Sequence, residues 1–120
     1  NSKITMDSLA YMRLARDFGS FDEWQKDFIA CCKASRCGWV VTYYNFYTQT
    51  FMNTIIDLHS ENVPAGGYPV IVMDVWQHAY YKDYLKDVKT YTVAMMKQFN
   101  WNVINKRFEK ADNIVKALRG

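Results

Sequence analysis

The stretch Val70-Ile71-Val72-Met73, followed by Asp74-Val75-Trp76-Gln77-His78-Ala79-Tyr80-Tyr81, decides how this chain is read. A short apolar run bounded by turn-forming residues predicts a buried strand, from about Tyr68 to Met73. Asp74 and His78 then fall just past its end. A carboxylate and an imidazole four residues apart converge on one point if the strand passes into a helical turn, and both residue types ligate first-row metals. Two ligands make half of a site. A capping Asp and a packed His at the start of a helix account for the same spacing without a metal.

Before this strand, Ser60-Glu61-Asn62-Val63-Pro64-Ala65-Gly66-Gly67 is a loop by its Pro and Gly content. Earlier still, Trp39 to Phe46 and Gln49 to Leu58 are rich in β-branched and aromatic residues and predict two strands, with a hairpin turn around Asn45 to Thr48. A first helix is expected from Ser8 to Asp17, with Leu9, Met12 and Ala15 as its apolar stripe and Gly19 ending it. Ser20 and Glu23 form an S-x-x-E capping box for a second, which carries Trp24, Phe28 and Cys31 or Cys32 inward and ends near Ser35. After the octet, a short helix should carry Tyr80, Tyr81 and Tyr84, and another covers about Thr90 to Phe99. Asn100 caps the last helix, whose Ile104, Phe108, Ala111, Val115 and Leu118 make a core-facing stripe. Three strands flanked by helices is an α+β arrangement.

The 120 residues bound the chain to one domain, 1–120, with half its residues hydrophobic and 17% aromatic, enough for a single core. That composition excludes a disordered chain. A net charge of +3, with basic and acidic residues interspersed, makes no case for direct nucleic-acid recognition. No apolar stretch approaches the roughly 20 residues of a membrane span; Asn1 opens no secretory signal, and the missing initiator Met leads us to expect a processed chain or a fragment. Cys31, Cys32 and Cys37 give no CxxC pair and leave an odd thiol, which favours a reducing compartment and a packing role.

The octet Asp74 to Tyr81 resembles the D-V-W-E-H-A-Y-Y signature of the iron/manganese superoxide dismutases, differing only at Gln77. The likeness continues in order along the chain. Asp17-Phe18-Gly19-Ser20-Phe21 resembles that family's D-F-G-S-F segment, Gly38-Trp39 its G-S-G-W, and Asn100-Trp101 with Arg107-Phe108 its N-W and R-Y ending. The resemblance, from about Leu9 to Ala111, implies the family's C-terminal α/β domain, a three-stranded antiparallel sheet flanked by helices. It implies one Fe or Mn ion held by three His and one Asp, with Asp74 and His78 as the two ligands from this half. The other two His would come from an N-terminal helical hairpin preceding residue 1. Trp39 and Trp76 match aromatics that wall the metal pocket, Tyr81 matches a tyrosine at its gateway, and His59 falls where a second-sphere Gln or His hydrogen-bonds the metal-bound solvent. A core alone would also select those aromatics, and a local hydrogen bond alone would account for His59.

Departures from the pattern carry information too. Gln77 replaces a Glu that in the family reaches across the dimer to the partner's metal-binding His, so a charge-assisted bond becomes neutral. Val41 and Met96 stand where tryptophans are expected, and Val88-Lys89 replaces an R-P pair. Three readings follow. The first is a non-catalytic structural subunit of a mitochondrial assembly such as the small ribosomal subunit, among protein subunits with rRNA nearby. The second is the C-terminal part of an active Fe/Mn superoxide dismutase that turns superoxide into oxygen and hydrogen peroxide as a homo- or heterodimer. The third is a binding module that docks a partner through Tyr43, Phe46 and Tyr47 near the hairpin.

Overall fold

The computed structural model describes residues 4–34, 38–57, 67–74 and 96–119. Among these lie, in chain order, α1 (Leu9–Phe18), α2 (Phe21–Ala34), β1 (Gly38–Asn45), β2 (Thr50–Asp57), β3 (Gly67–Asp74) and α3 (Trp101–Arg119). The strands form one antiparallel sheet in the order β2-β1-β3. This is the α+β arrangement the sequence predicts. The expected loop at 60–66 and the helix with Tyr80, Tyr81 and Tyr84 lie outside the described residues. Of the helix expected over Thr90 to Phe99, Met96 is helical, Lys97 and Gln98 form a turn, and the Phe99 amide donates to the Met96 carbonyl at 3.2 Å.

Local chemistry sets the helix ends. Ser8 caps α1 by accepting from the Tyr11 amide at 3.3 Å, and the Ala10 amide reaches across to Asn105 Oδ1 on α3 at 2.8 Å. Gly19, at φ 96°, ends the helix in a conformation that a Cβ would strain. Ser20 Oγ accepts from the Glu23 amide at 3.0 Å, the first half of the predicted capping box; the Glu23 carboxylate lies 3.5 Å from Lys26 Nζ. Asn100 caps α3, accepting from the Val103 amide at 3.3 Å. In the β1–β2 turn, Asn45 Oδ1 accepts from the Tyr47 and Thr48 amides and Gln49 takes φ 61°.

Two helical stripes, those of α1 and α3, differ from expectation, and that of α2 agrees with it. In α1 the buried residues are Ala10 and Leu14, while Met12 is 46% exposed. Arg13 donates two hydrogen bonds to Asp112 on α3, at 2.9 and 3.3 Å, and together with the Asn105–Ala10 bond this turns Met12 to solvent. In α2, Trp24, Phe28 and Cys32 point inward and Cys31 is half-buried, which settles the choice between the two cysteines. In α3, Ile104, Phe108 and Ala111 are buried, Val115 is half-buried and Leu118 is 70% exposed. Its last turn is held by Arg119, which donates to Gln49 Oε1 at 2.8 Å. The hairpin aromatics are not a uniform exposed patch. Tyr43 is buried, Phe46 packs edge-on against Tyr44, and only Tyr47 is largely exposed.

Among the described residues, α1, α2 and α3 pack on one face of the sheet. Ala10, Leu14, Trp24, Phe28 and Phe108 join Val40, Tyr44, Phe51, Ile71 and Met73 in the main core. The motif residues Asp17, Trp101 and Phe108 serve this packing: Asp17 Oδ2 accepts from the Phe51 amide at 2.8 Å, and the Trp101 and Phe108 rings lie 6.2 Å from Trp24 and 4.6 Å from Phe51. A polar thread runs through the same core. Trp24 Nε1 donates to Thr42 Oγ1 at 2.9 Å, Thr42 donates to Asn53 Oδ1, and Asn53 Nδ2 donates to Asp27 Oδ2 at 2.9 Å, so α2 is tied to both β1 and β2. Trp24→Phe removes the first donor while keeping a ring in place. It should cost about 1–3 kcal/mol, from the lost buried hydrogen bond and ring volume, read as a lower urea midpoint at unchanged m-value.

Candidate metal-binding strand end

Because β1 pairs with both neighbours, its register assigns every strand residue to a face. Val40, Thr42 and Tyr44 turn toward the helices; Trp39, Val41 and Tyr43 turn to the opposite face. Asp74 is the last residue of β3, one position earlier in the fold than the sequence predicted, and its register partner is Trp39 on β1. The carboxylate therefore stands on the face away from the helices, beside a 40% exposed indole. Asp74 is half-buried, and its Oδ1 is out of reach of solvent. A carboxylate is a hard oxygen donor of the kind that ligates first-row metal ions.

How Asp74 reaches that face was not foreseen. Tyr43 pairs with Pro69 and Thr42 with Ile71, so Val70 is an extra residue on β3, a β-bulge. Val70 and Ile71 are both buried, 0% and 1% exposed, where strict alternation would expose one of them. If the pairing ran on without the extra residue, Trp39 would face Met73 and Asp74 would turn toward the helix-side core. The signal was present in the sequence. Pro69 in a strand marks an edge or a bulge, β3 is an edge strand, and an unbroken Val70-Ile71-Val72-Met73 run does not alternate.

Among the sequence-predicted site residues, the structure brings Trp39 and Asp74 together. His59, Trp76, His78 and Tyr81 lie outside the described residues, as do Gln77, Val88 and Lys89. Among the described residues no group of three or more His, Cys, Asp or Glu could hold a metal. Val41, next to Trp39, is 1% exposed and packs with Tyr43 and Ile56, so aliphatic packing occupies the position where an indole was expected. Met96 sits in the helix-side core, its sulfur 3.4 Å from Gln25 Nε2, on the face away from Asp74.

Cys37 lies outside the described residues, and the two described cysteines pack against the core. Cys32 is buried with its Sγ 4.0 Å from Met73 Sδ, and burial, with the charge of Asp27, pushes the Cys31 thiol above its ordinary value of 9.0. A thiol that stays protonated is a poor nucleophile. At pH 7, iodoacetamide should alkylate native Cys31 at least about tenfold more slowly than the urea-unfolded chain, read by peptide mass spectrometry. Since the folded value is the raised one, this thiol's contribution to stability is fully present below pH 9.0 and is lost as pH rises through the folded value.

Among the described residues no helix is long and apolar enough to cross a membrane. Residues 7–107 match the family described as iron/manganese superoxide dismutases, C-terminal domain. The chain is 35% identical over 99 residues to a protein of Halobacterium salinarum named manganese superoxide dismutase 1, covering 82% of this chain and 49% of that one. It is 33% identical over 107 residues to a protein of Aquifex pyrophilus named iron superoxide dismutase, covering 89% of this chain and 50% of that one. The chain thus spans about half the length of these relatives.

Proposed function

The chain belongs to the iron/manganese superoxide dismutase family, as its C-terminal domain, and from that membership we propose that it is the C-terminal half of an iron- or manganese-dependent superoxide dismutase. The observation that carries this reading is the position of Asp74, a partly buried carboxylate at the end of β3 on the Trp39 face, with His78 four residues further on. Relatives named for manganese and for iron both match, so either ion suits the reading.

In this proposal Asp74 and His78 hold the ion together with two His from the rest of a dismutase. The bound ion supplies one-electron chemistry by alternating between two oxidation states. The work of this chain's own residues is electrostatic and steric. Asp74 brings a negative charge and a hard oxygen donor. Trp39 stands beside the carboxylate; by the family resemblance Trp76 would join it in keeping bulk water away, which would strengthen the attraction for a cation. By the same resemblance Tyr81 would stand at the entrance and His59 would offer a hydrogen bond to solvent at the site. Gln77 would give a second subunit a neutral hydrogen bond, weaker than that of a carboxylate.

The structural-subunit reading, set in a mitochondrial assembly, has one structural observation in its favour: Val41 closes by aliphatic packing a position expected to hold an aromatic. The relatives named above are all called superoxide dismutases, which favours the enzyme. Elemental analysis of the natively purified protein separates the two. About one Fe or Mn per chain is expected, and a metal-free protein overturns the enzyme reading. Asp74→Ala should lower metal content more than about tenfold and abolish dismutation, since it removes a direct ligand. Full activity in that variant would equally overturn it.

A further inference from the structure

Val70 is fully buried and stands out of step with β1, so its backbone carbonyl sits where the regular ladder is interrupted and water is absent. Pro69, just before it, has no amide to offer. The donor comes from α3: Arg107 Nη1 lies 3.4 Å from the Val70 carbonyl oxygen. Ile104 and Phe108, both buried, hold α3 against the sheet on either side of Arg107 in sequence. The Arg107 side chain lies between two shallow hollows of about 220 and 430 Å³, which share Val72 as a lining residue.

We propose that Arg107 is a positioning residue for the metal-binding end of β3: by donating to the Val70 carbonyl it holds the bulge, and the bulge holds Asp74 on the face of Trp39. Four residues separate the clamp from the carboxylate, and the coupling between them is the period of two along the strand. With the bulge in place, Val72 and Asp74 share the Trp39 face; with it slipped by one residue, Met73 would take that face and Asp74 would turn toward the apolar core. Burying a carboxylate there costs far more than one hydrogen bond, so a released bulge would fray the end of β3 before it slipped. The functional consequence for metal binding rests on the dismutase reading; the clamp itself does not.

The test uses the natively purified protein, together with whatever supplies the two further His of the dismutase reading, in three forms: wild type, Arg107→Met and Arg107→Lys. Methionine keeps an unbranched apolar stem and removes every donor, whereas lysine keeps a charged donor. In Arg107→Met, amide hydrogen exchange at Ile71 to Asp74 should quicken by about tenfold, the scale of one charge-assisted bond, with rates in α2 and β2 unchanged. The Asp74 carboxyl carbon resonance should move, and Arg107→Lys should recover most of both effects. Titrated with Mn²⁺ alone, Arg107→Met should bind about tenfold more weakly than wild type, the usual scale for a lost supporting contact, and Arg107→Lys should bind nearly as wild type. Exchange at Ile71 to Asp74 that stays within about twofold of wild type, or that rises equally in α2, overturns the clamp. If wild type binds no Mn²⁺ or Fe²⁺, the dismutase reading fails, while exchange and the carboxyl resonance still decide the clamp.

Discussion

A β-strand shows its side chains to alternate faces, and in this chain that period of two governs almost everything else. β1 is shared by both neighbours, so its Val40, Thr42 and Tyr44 commit one face to the helices and its Trp39, Val41 and Tyr43 commit the other. Every residue of β2 and β3 inherits a face from that commitment. The single departure, the extra Val70, changes the inheritance for the four residues that follow it. Asp74 is the last of the four.

The two faces divide the labour. The helix side holds the large core, where Trp24, Phe28, Phe51 and Phe108 pack as tilted rings and the Trp24–Thr42–Asn53–Asp27 thread satisfies the buried polar atoms. The opposite face carries Trp39 and Asp74. Most of the motif residues belong to the first side or to its ends: Gly19 terminates α1, Ser20 and Asn100 cap α2 and α3, Trp101 and Phe108 fill the core, and Asp17 holds the outer strand of the hairpin. A likeness carried by such residues is evidence for the fold. Chemistry has to be argued from the few residues on the other face, since one fold can host several activities.

Much of this architecture could be read from the chain. Ser8, Ser20 and Asn100 announce helix starts because a side-chain oxygen within three residues can satisfy an amide that the helix leaves open. Asn45 announces the hairpin for the same local reason. The misjudged residues were those whose burial depends on a distant element. Met12 and Leu118 fit helical stripes, yet Met12 is turned out by the Arg13–Asp112 pair and Leu118 is 70% exposed. Tyr43 resembled a surface aromatic and is buried within a second cluster with Val41 and Ile56.

At the candidate site the same division holds. That β3 ends in a metal-competent Asp, four residues before a His, is written in the order of residues, because ligand type and spacing are properties of a short segment. The side of the sheet on which that Asp emerges is not written there. It depends on β1 setting the register, on one residue standing out of step with it, and on an arginine from a helix 37 residues further along meeting the freed carbonyl. Local propensities act over a few residues, whereas register and face are agreed between strands and the helix packed against them, so they exist only once the chain has folded.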